Sequence, residues 1–378
     1  MARINLWRHF DFALMGIVTL LIIIGIAMVR SATLSSPDTG LLEFSRQALF
    51  ALIGIPVVLL VSAIDYRVWG GLSGSLYVLL LVLLAFVQIF GQAVFGASRW
   101  IPLADLGLPI NIQPSELGKF IIVLVLGFYL ANHGAQIHKL SFVLRSLIYI
   151  GIPVIFIALQ PDFSSCILYG VIWFSLLWAS GLRWEHVLVL AGLTAIIGAI
   201  GFALALQSES ALYIVQRIVN FVLPNQDSQA YRDATYNITQ SLISIGSGGW
   251  FGEGYGNGSQ VQLRFLKVRH TDFIFATVAH EFGFIGSVVI ILLFVALVVR
   301  IFRAAQIARD AYGRLICFGV GAVILFEAFS NIASNMNLLP VTGSPLPFIS
   351  YGGSSLWTFL FAIGLVESVV LRHKQIEF

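Results

Sequence analysis

The stretch FIFATVAHEFGFIGSVVIILLFVALVV (273–299) decides the fold. About 20 predominantly apolar residues cross the hydrocarbon core of a bilayer as a helix, and this run exceeds that length. Helices satisfy their own backbone hydrogen bonds in lipid, and the run lacks the apolar–polar alternation of a barrel strand. Outward from it, similar runs fall near 12–30, 47–64, 72–90, 115–132, 143–160, 163–180, 186–206, 313–335 and 354–371, giving ten expected spans. The expected fold class is therefore all-α: a polytopic membrane protein with ten transmembrane helices. It is read as one membrane domain over 1–378, with a long extracytoplasmic loop (207–272) between helices seven and eight.

Composition leads to the same class. Of 378 residues, 58% are apolar and 10% charged, against roughly a quarter charged in soluble domains. With a mean hydropathy of +0.94, these values exclude a soluble globule and a soluble enzyme on a single anchor. The formal net charge of +3 is too small to indicate a nucleic-acid partner. Cys166 and Cys317 sit within apolar runs and suggest neither a disulfide framework nor a cysteine metal site. Arg3 and Arg8 precede an apolar stretch too long for a cleavable leader and without an A-x-A site, so it reads as an uncleaved first span.

An even number of spans puts both termini on one side. That side collects Arg67, Lys139, Arg145, Arg183, Arg300 and Arg303 among others, whereas the short opposite loops hold chiefly Arg30, Arg46 and Arg99. The excess of positive charge places both termini in the cytoplasm. Three longer connections then share the outer face. Loop 91–114 is expected to fold back on the membrane, and loop 336–353, with three prolines and three glycines, to avoid regular helix. In loop 207–272, residues 211–223 and 236–245 read as amphipathic surface helices and VQLRFLKV (261–268) as a short strand or extended strip. The glycines at 252, 254, 256 and 258 imitate a dinucleotide fingerprint, but no strand–turn–helix context surrounds them.

Few ionisable groups remain for chemistry. Asp272 stands where the long loop meets span eight, directly after Arg269, His270 and Thr271. A carboxylate there can act as a general base or bind a divalent cation, and the alternative is a helix N-cap. Glu116 and Lys119 share a face at the start of span four, as substrate-site residues or as a structural ion pair. Asp162 reads mainly as the cap of span six. His280 and Glu281 lie about 80° and 180° round a straight helix from Asp272, so the three do not line one groove. Glu327, Asn331 and Asn335 form a polar stripe suited to interhelical hydrogen bonds. The residues demonstrate no metal site.

The motifs SRWI (98–101), QPSELGK (113–119), QPDF (160–163), SLISIGSGG (241–249), RHTDFIFA (269–276) and LPVTGSPLPFISYGGSS (339–355) resemble, in order, the SEDS family of shape, elongation, division and sporulation proteins. GYGNGSQVQLRFL (254–266) is more similar to the elongation branch, RodA, than to the division branch, FtsW. The resemblance implies ten transmembrane helices and a peptidoglycan glycosyltransferase that polymerises lipid II into glycan strands during cell elongation. It implies Asp272 as the essential acid, with Glu116, Lys119 and Arg217 as further site residues, and a class B penicillin-binding protein, a transpeptidase, as partner. The expected reaction inverts C1 of the donor MurNAc and releases undecaprenyl pyrophosphate at the outer face of the bacterial cytoplasmic membrane. Arg269 and His270 join the expected substrate-binding set, a divalent cation (Mg or Mn) is expected with unknown ligands, and membrane lipids are further partners. The chain departs from the family at QPDFSS, where QPDLGT is usual, and at His280, where an acid commonly precedes the glutamate. A lipid II flippase, which would need matched discontinuous helices, and a non-catalytic scaffold for the transpeptidase are the competing readings.

Overall fold

Each of these apolar runs is met by a helix in the computed structural model, which describes residues 6–35, 40–94, 97–102, 111–205, 229–341 and 343–373. The helices are α1 (Phe12–Thr33), α2 (Gly40–Ala63), α3 (Tyr66–Gly71), α4 (Ser73–Phe90), α5 (Pro114–Asn132), α6 (Leu140–Leu159), α7 (Phe163–Ala179), α8 (Trp184–Ala205), α9 (Gln229–Ser247), α10 (Ser259–Gln262), α11 (Ile274–Ile307), α12 (Ala311–Asn335) and α13 (Gly353–Leu371). Among the described residues, α1, α2, α4, α5, α6, α11, α12 and α13 are long and apolar enough to cross a membrane. The expected sixth and seventh spans correspond to α7, shorter at 17 residues, and to α8. The chain is thus an all-α, multi-pass membrane protein.

Capping sets several helix starts. Asp11 accepts from the Ala13 and Leu14 amides at 3.1 and 3.0 Å, and Asp310 from the Gly313 amide at 2.8 Å. Pro114 occupies the first turn of α5, where a missing N–H costs no hydrogen bond. α5, α12 and α13 bury most of their surface and form the centre of the bundle, while α4 and α6 turn most of theirs outward. Lys119, Glu327 and Glu367 are buried in these central helices.

α11 is broken at Gly283, whose φ of 64° and ψ of −158° interrupt the helix. The glycine-rich segment after α9 fills the break. The Glu253 and Gly254 amides donate to the His280 and Glu281 carbonyls at 3.0 Å each, and the Phe284 amide donates to the Gly249 carbonyl at 2.8 Å. Backbone groups freed by the kink are therefore satisfied by the chain itself. The crossing needs glycine on both sides: a Cβ on Gly252 would lie 2.1 Å from the Glu281 oxygen, and one on Gly283 2.5 Å from the Gly252 nitrogen. The glycine run is a packing device.

The structure corrects one expectation about the loops. Residues 261–268 are neither strand nor extended strip: α10 is a single helical turn, and turns follow it, with Arg264 and Val268 at φ 61° and 51°. The side chains of this segment are drawn to the C-terminal end of α1, whose last carbonyls lack helical partners. Gln262 donates to the Ser31 carbonyl at 3.1 Å, Arg269 to that of Ala32 at 2.5 Å, and Arg264 to that of Ser35. Loop 91–114 carries a small antiparallel sheet, β1 (Gln92–Val94), β2 (Ala97–Pro102) and β3 (Asn111–Ile112), in that order, pairing Gln92 with Trp100 and Ile101 with Ile112. The described residues of 336–352 form no regular helix, as expected, and α9 contains the expected 236–245 helix. The expected helix over 211–223, with Arg217, lies outside the described residues.

Candidate active site

The segment leading into α11 is held by four consecutive carbonyls. The Arg269 carbonyl accepts from Thr277 Oγ1 at 3.2 Å, His270 from the Tyr351 amide at 2.9 Å and Thr271 from Ser350 Oγ at 2.7 Å. The Asp272 carbonyl accepts from both Asn331 Nδ2 and Asn335 Nδ2, at 3.0 and 2.9 Å. Asn335 also accepts from the Ala276 amide at 3.1 Å, satisfying a donor in the first turn of α11. The polar stripe on α12 is thus the clamp that fixes the Asp272 backbone. Phe273 takes the capping position of α11 with no side-chain capping bond, so Asp272 does not serve as the N-cap. Its carboxylate is half-buried and approaches Gly343 in the 336–352 loop.

That loop is itself fixed. Ser350 Oγ accepts from the Leu346 amide at 2.9 Å, Gln47 on α2 donates to the Ser350 carbonyl at 3.2 Å, and the Gly352 amide donates back to Gln47 Oε1 at 3.2 Å. Gly25 on α1 admits the loop backbone, because a Cβ there would meet the Phe348 oxygen at 2.6 Å.

One level deeper, Lys119 Nζ lies 2.8 Å from Glu116 Oε2 and 2.5 Å from Glu327 Oε1, with the Phe359 ring centroid at 4.6 Å. Lys119 is fully buried and Glu116 nearly so. The sequence pair on α5 is therefore a trio shared with α12, and Glu327 sits one turn, about 6 Å of rise, below Asn331. The pairing across helices has no sequence-local signal. The four-residue recurrence of Glu327, Asn331 and Asn335 marks the face involved but not its partner.

Asp162 caps α7 and accepts from Ser165 Oγ at 2.8 Å, Gln113 Nε2 at 3.1 Å, Ser164 Oγ at 3.2 Å and Ser115 Oγ at 3.4 Å. Both hydroxyls of the unusual QPDFSS stretch serve this carboxylate, so the departure strengthens the cap. Arg99 on β2 holds the adjoining Gln160 carbonyl at 3.0 Å. His280 Nε2 lies 3.0 Å from Glu253 Oε1, and Glu281 accepts from Ser31 Oγ. Both are buried toward α1 and the glycine-rich loop.

Arg269 and His270 flank the clamped segment. Burial lowers the pKa of the Arg269 guanidinium, and Arg264 adds to the effect, but an arginine remains cationic at neutral pH. Burial also pulls the His270 imidazole below its ordinary pKa, against the pull of Glu43 at 4.0 Å and with the push of Arg269. His270 is accordingly neutral at pH 7 and stands edge-on to Tyr351 at 5.7 Å. Among the described residues, no three histidine, cysteine or acidic side chains group to hold a metal by themselves. Asp272 offers a hard carboxylate of the kind Mg²⁺ uses together with substrate phosphates.

The family model FtsW/RodA/SpoVE, described as cell cycle protein, matches residues 11–375. The chain is similar to "Peptidoglycan glycosyltransferase MrdB" of Escherichia coli (strain K12), 33% identical over 98% of this chain and 95% of that protein. It is also similar to "Probable peptidoglycan glycosyltransferase FtsW" of Thioalkalivibrio sp. (strain K90mix), 38% identical over 97% of this chain and 90% of that protein. Among solved structures, the rod shape determining protein RodA of Thermus thermophilus superposes with a TM-score of 0.71 at 29% identity, covering 98% of this chain and 99% of that one. A chain in a structure described as showing coordination of polymerization and crosslinking by a peptidoglycan synthase complex gives a TM-score of 0.79 at 26% identity, covering 96% and 97%.

Proposed function

This chain belongs to the FtsW/RodA/SpoVE family of cell cycle proteins, and from that premise we propose how its residues carry out glycosyl transfer. It is a peptidoglycan glycosyltransferase. The observation that carries the mechanism is the Asp272 carboxylate, left facing the 336–352 loop by a backbone whose own carbonyl two asparagines hold.

Asp272 is the general base. It takes the proton from the 4-hydroxyl of the GlcNAc on an incoming lipid II as that oxygen attacks C1 of the MurNAc at the reducing end of the growing strand. The new C–O bond forms on the face opposite the pyrophosphate, the bond from C1 to the pyrophosphate oxygen breaks, and its electron pair leaves on that oxygen with undecaprenyl pyrophosphate, inverting C1. The proton then passes from Asp272 to solvent. A positioned base of this kind contributes roughly 10²–10⁴-fold in rate.

Arg269, Arg217 and neutral His270 are assigned to substrate binding, with the arginine charges opposing the charge that develops on the leaving pyrophosphate. Lys119 and Glu116 belong to the same site. With its ammonium enclosed, Lys119 serves from within the bundle by fixing α5 against α12 and adding its field. The Asp272 carboxylate would hold a divalent cation, Mg or Mn, which would supply positive charge at the site when bound. The similarity of residues 254–266 to the elongation branch supports a role in cell elongation. The likeness to a chain of a peptidoglycan synthase complex supports a class B penicillin-binding protein as partner. The charge distribution of the loops supports cytoplasmic termini and an active face outside the cytoplasmic membrane.

The break in α11 does not favour a flippase. The chain's own glycine-rich loop takes up the freed backbone groups, whereas a transporter uses them for cargo. The test is fluorescent lipid II supplied to the purified chain, alone and with its partner. A ladder of glycan products supports the reading, and lipid II crossing the bilayer without any product would establish transport in its place.

A further inference from the structure

We infer that Glu327 is a positioning residue of this site: it holds Lys119 and so locks α5 to the helix whose asparagines clamp Asp272. The inference rests on the reading of Asp272 as general base.

Charge balance alone does not explain Glu327. A buried ammonium needs a counter-charge, and Glu116, three residues earlier on the same helix, supplies one at 2.8 Å. A second carboxylate adds an excess negative charge to an apolar interior, where ionisable groups are costly. Glu327 is nonetheless buried, and its second oxygen, Oε2, has no hydrogen-bond partner among the described residues. What Glu327 adds is a cross-helix contact. Its Oε1 meets Lys119 Nζ at 2.5 Å and joins α5 to α12 in the middle of the bundle.

The position of that joint matters. Asn331 lies one turn above Glu327 and donates to both the Asp272 and Ser344 carbonyls, at 3.0 and 2.8 Å. Asn335 lies one turn higher and donates to Asp272 at 2.9 Å. The depth and rotation of α12 therefore set where the Asp272 backbone sits, and the Lys119 bridge fixes both against α5. α5 in turn carries Ser115 and follows directly on Gln113, and both hold Asp162. Without the bridge, α12 is free to turn or slide by a fraction of an ångström, enough to misplace a base.

The discriminating pair is Glu327→Gln and Glu327→Met. Both are close to glutamate in size, and both leave Lys119 neutralised by Glu116, so the fold survives in each. Glutamine retains an oxygen that accepts from Lys119 Nζ, and methionine does not. Purified with the partner protein and assayed on lipid II, Glu327→Gln is expected to keep kcat within about threefold of wild type. Glu327→Met is expected to lose about tenfold or more in kcat with little change in KM. In a Lys119→Met background the Glu327→Met loss should disappear, because the bridge is already absent. Wild-type kcat in Glu327→Met, equal losses in the two variants, or full additivity with Lys119→Met would each overturn the inference. Asp272→Asn run in parallel separates it from the reading beneath: a fully active Asp272→Asn alongside a slow, non-additive Glu327→Met sinks the base assignment and leaves the bridge standing.

Discussion

Replacing Asn335 by alanine removes four bonds from the clamp: Nδ2 to the Asp272 carbonyl at 2.9 Å, Nδ2 to the Asn331 carbonyl at 2.8 Å and to Asn331 Oδ1 at 3.4 Å, and Oδ1 from the Ala276 amide at 3.1 Å. The Asp272 oxygen keeps Asn331, so little is lost there. The buried Ala276 N–H, in the unpaired first turn of α11, is left with no side-chain acceptor. One net hydrogen bond is worth about 1 kcal/mol and an unsatisfied buried donor about 1–3 kcal/mol, so Asn335→Ala should cost about 2–4 kcal/mol of stability. Loosening the segment ahead of Asp272 should also slow polymerisation about tenfold to a hundredfold, since misplacing a base by an ångström is worth that much. Asn335→Asp tests the cause. It can still accept from Ala276, yet it buries a carboxylate oxygen against the Asp272 and Asn331 carbonyls, so it should melt no higher than alanine and polymerise no faster. The assays are thermal melting in detergent and initial rates on fluorescent lipid II. Wild-type rates in both variants would refute the argument that α12 positions Asp272.

Other outcomes follow from single features. Gly283→Ala forces a side chain onto a φ of 64° and into the Gly252 backbone; strain alone costs about 1–3 kcal/mol, so its melting temperature should fall clearly below that of Gly151→Ala, a site in α6 with open space around it. His270 has a folded pKa below its unfolded value of about 6.5, so its contribution to stability is present above that pH and is lost as pH falls toward the folded pKa. Melting temperature should therefore drop as pH falls below about 6.5, and His270→Gln should flatten that slope.

Sequence alone made the helical bundle legible because span-length apolar runs have few alternatives in lipid, and it singled out Asp272, Glu116 and Lys119 because ionisable groups are sparse in such a background. It missed what depends on contacts between distant elements. Glu327 reads as one member of a polar stripe until α12 is packed on α5, and the tie between His270 and Tyr351 joins residues 81 positions apart. The glycine run resisted reading for the same reason: its glycines answer to a broken helix whose break is visible only in the fold. VQLRFLKV alternates like a strand, but three side chains in and beside it are recruited to the open end of α1, and that pull overrides the local pattern.

The account stands most directly on one rate. Asp272→Asn preserves the shape of the side chain and leaves the clamped carbonyl untouched, so the protein should melt as wild type does, bind its partner and bind lipid II. Its initial rate of glycan polymerisation at neutral pH should fall by about 10²-fold or more. A well-folded Asp272→Asn enzyme polymerising lipid II at the wild-type rate would contradict the assignment of Asp272 as the base.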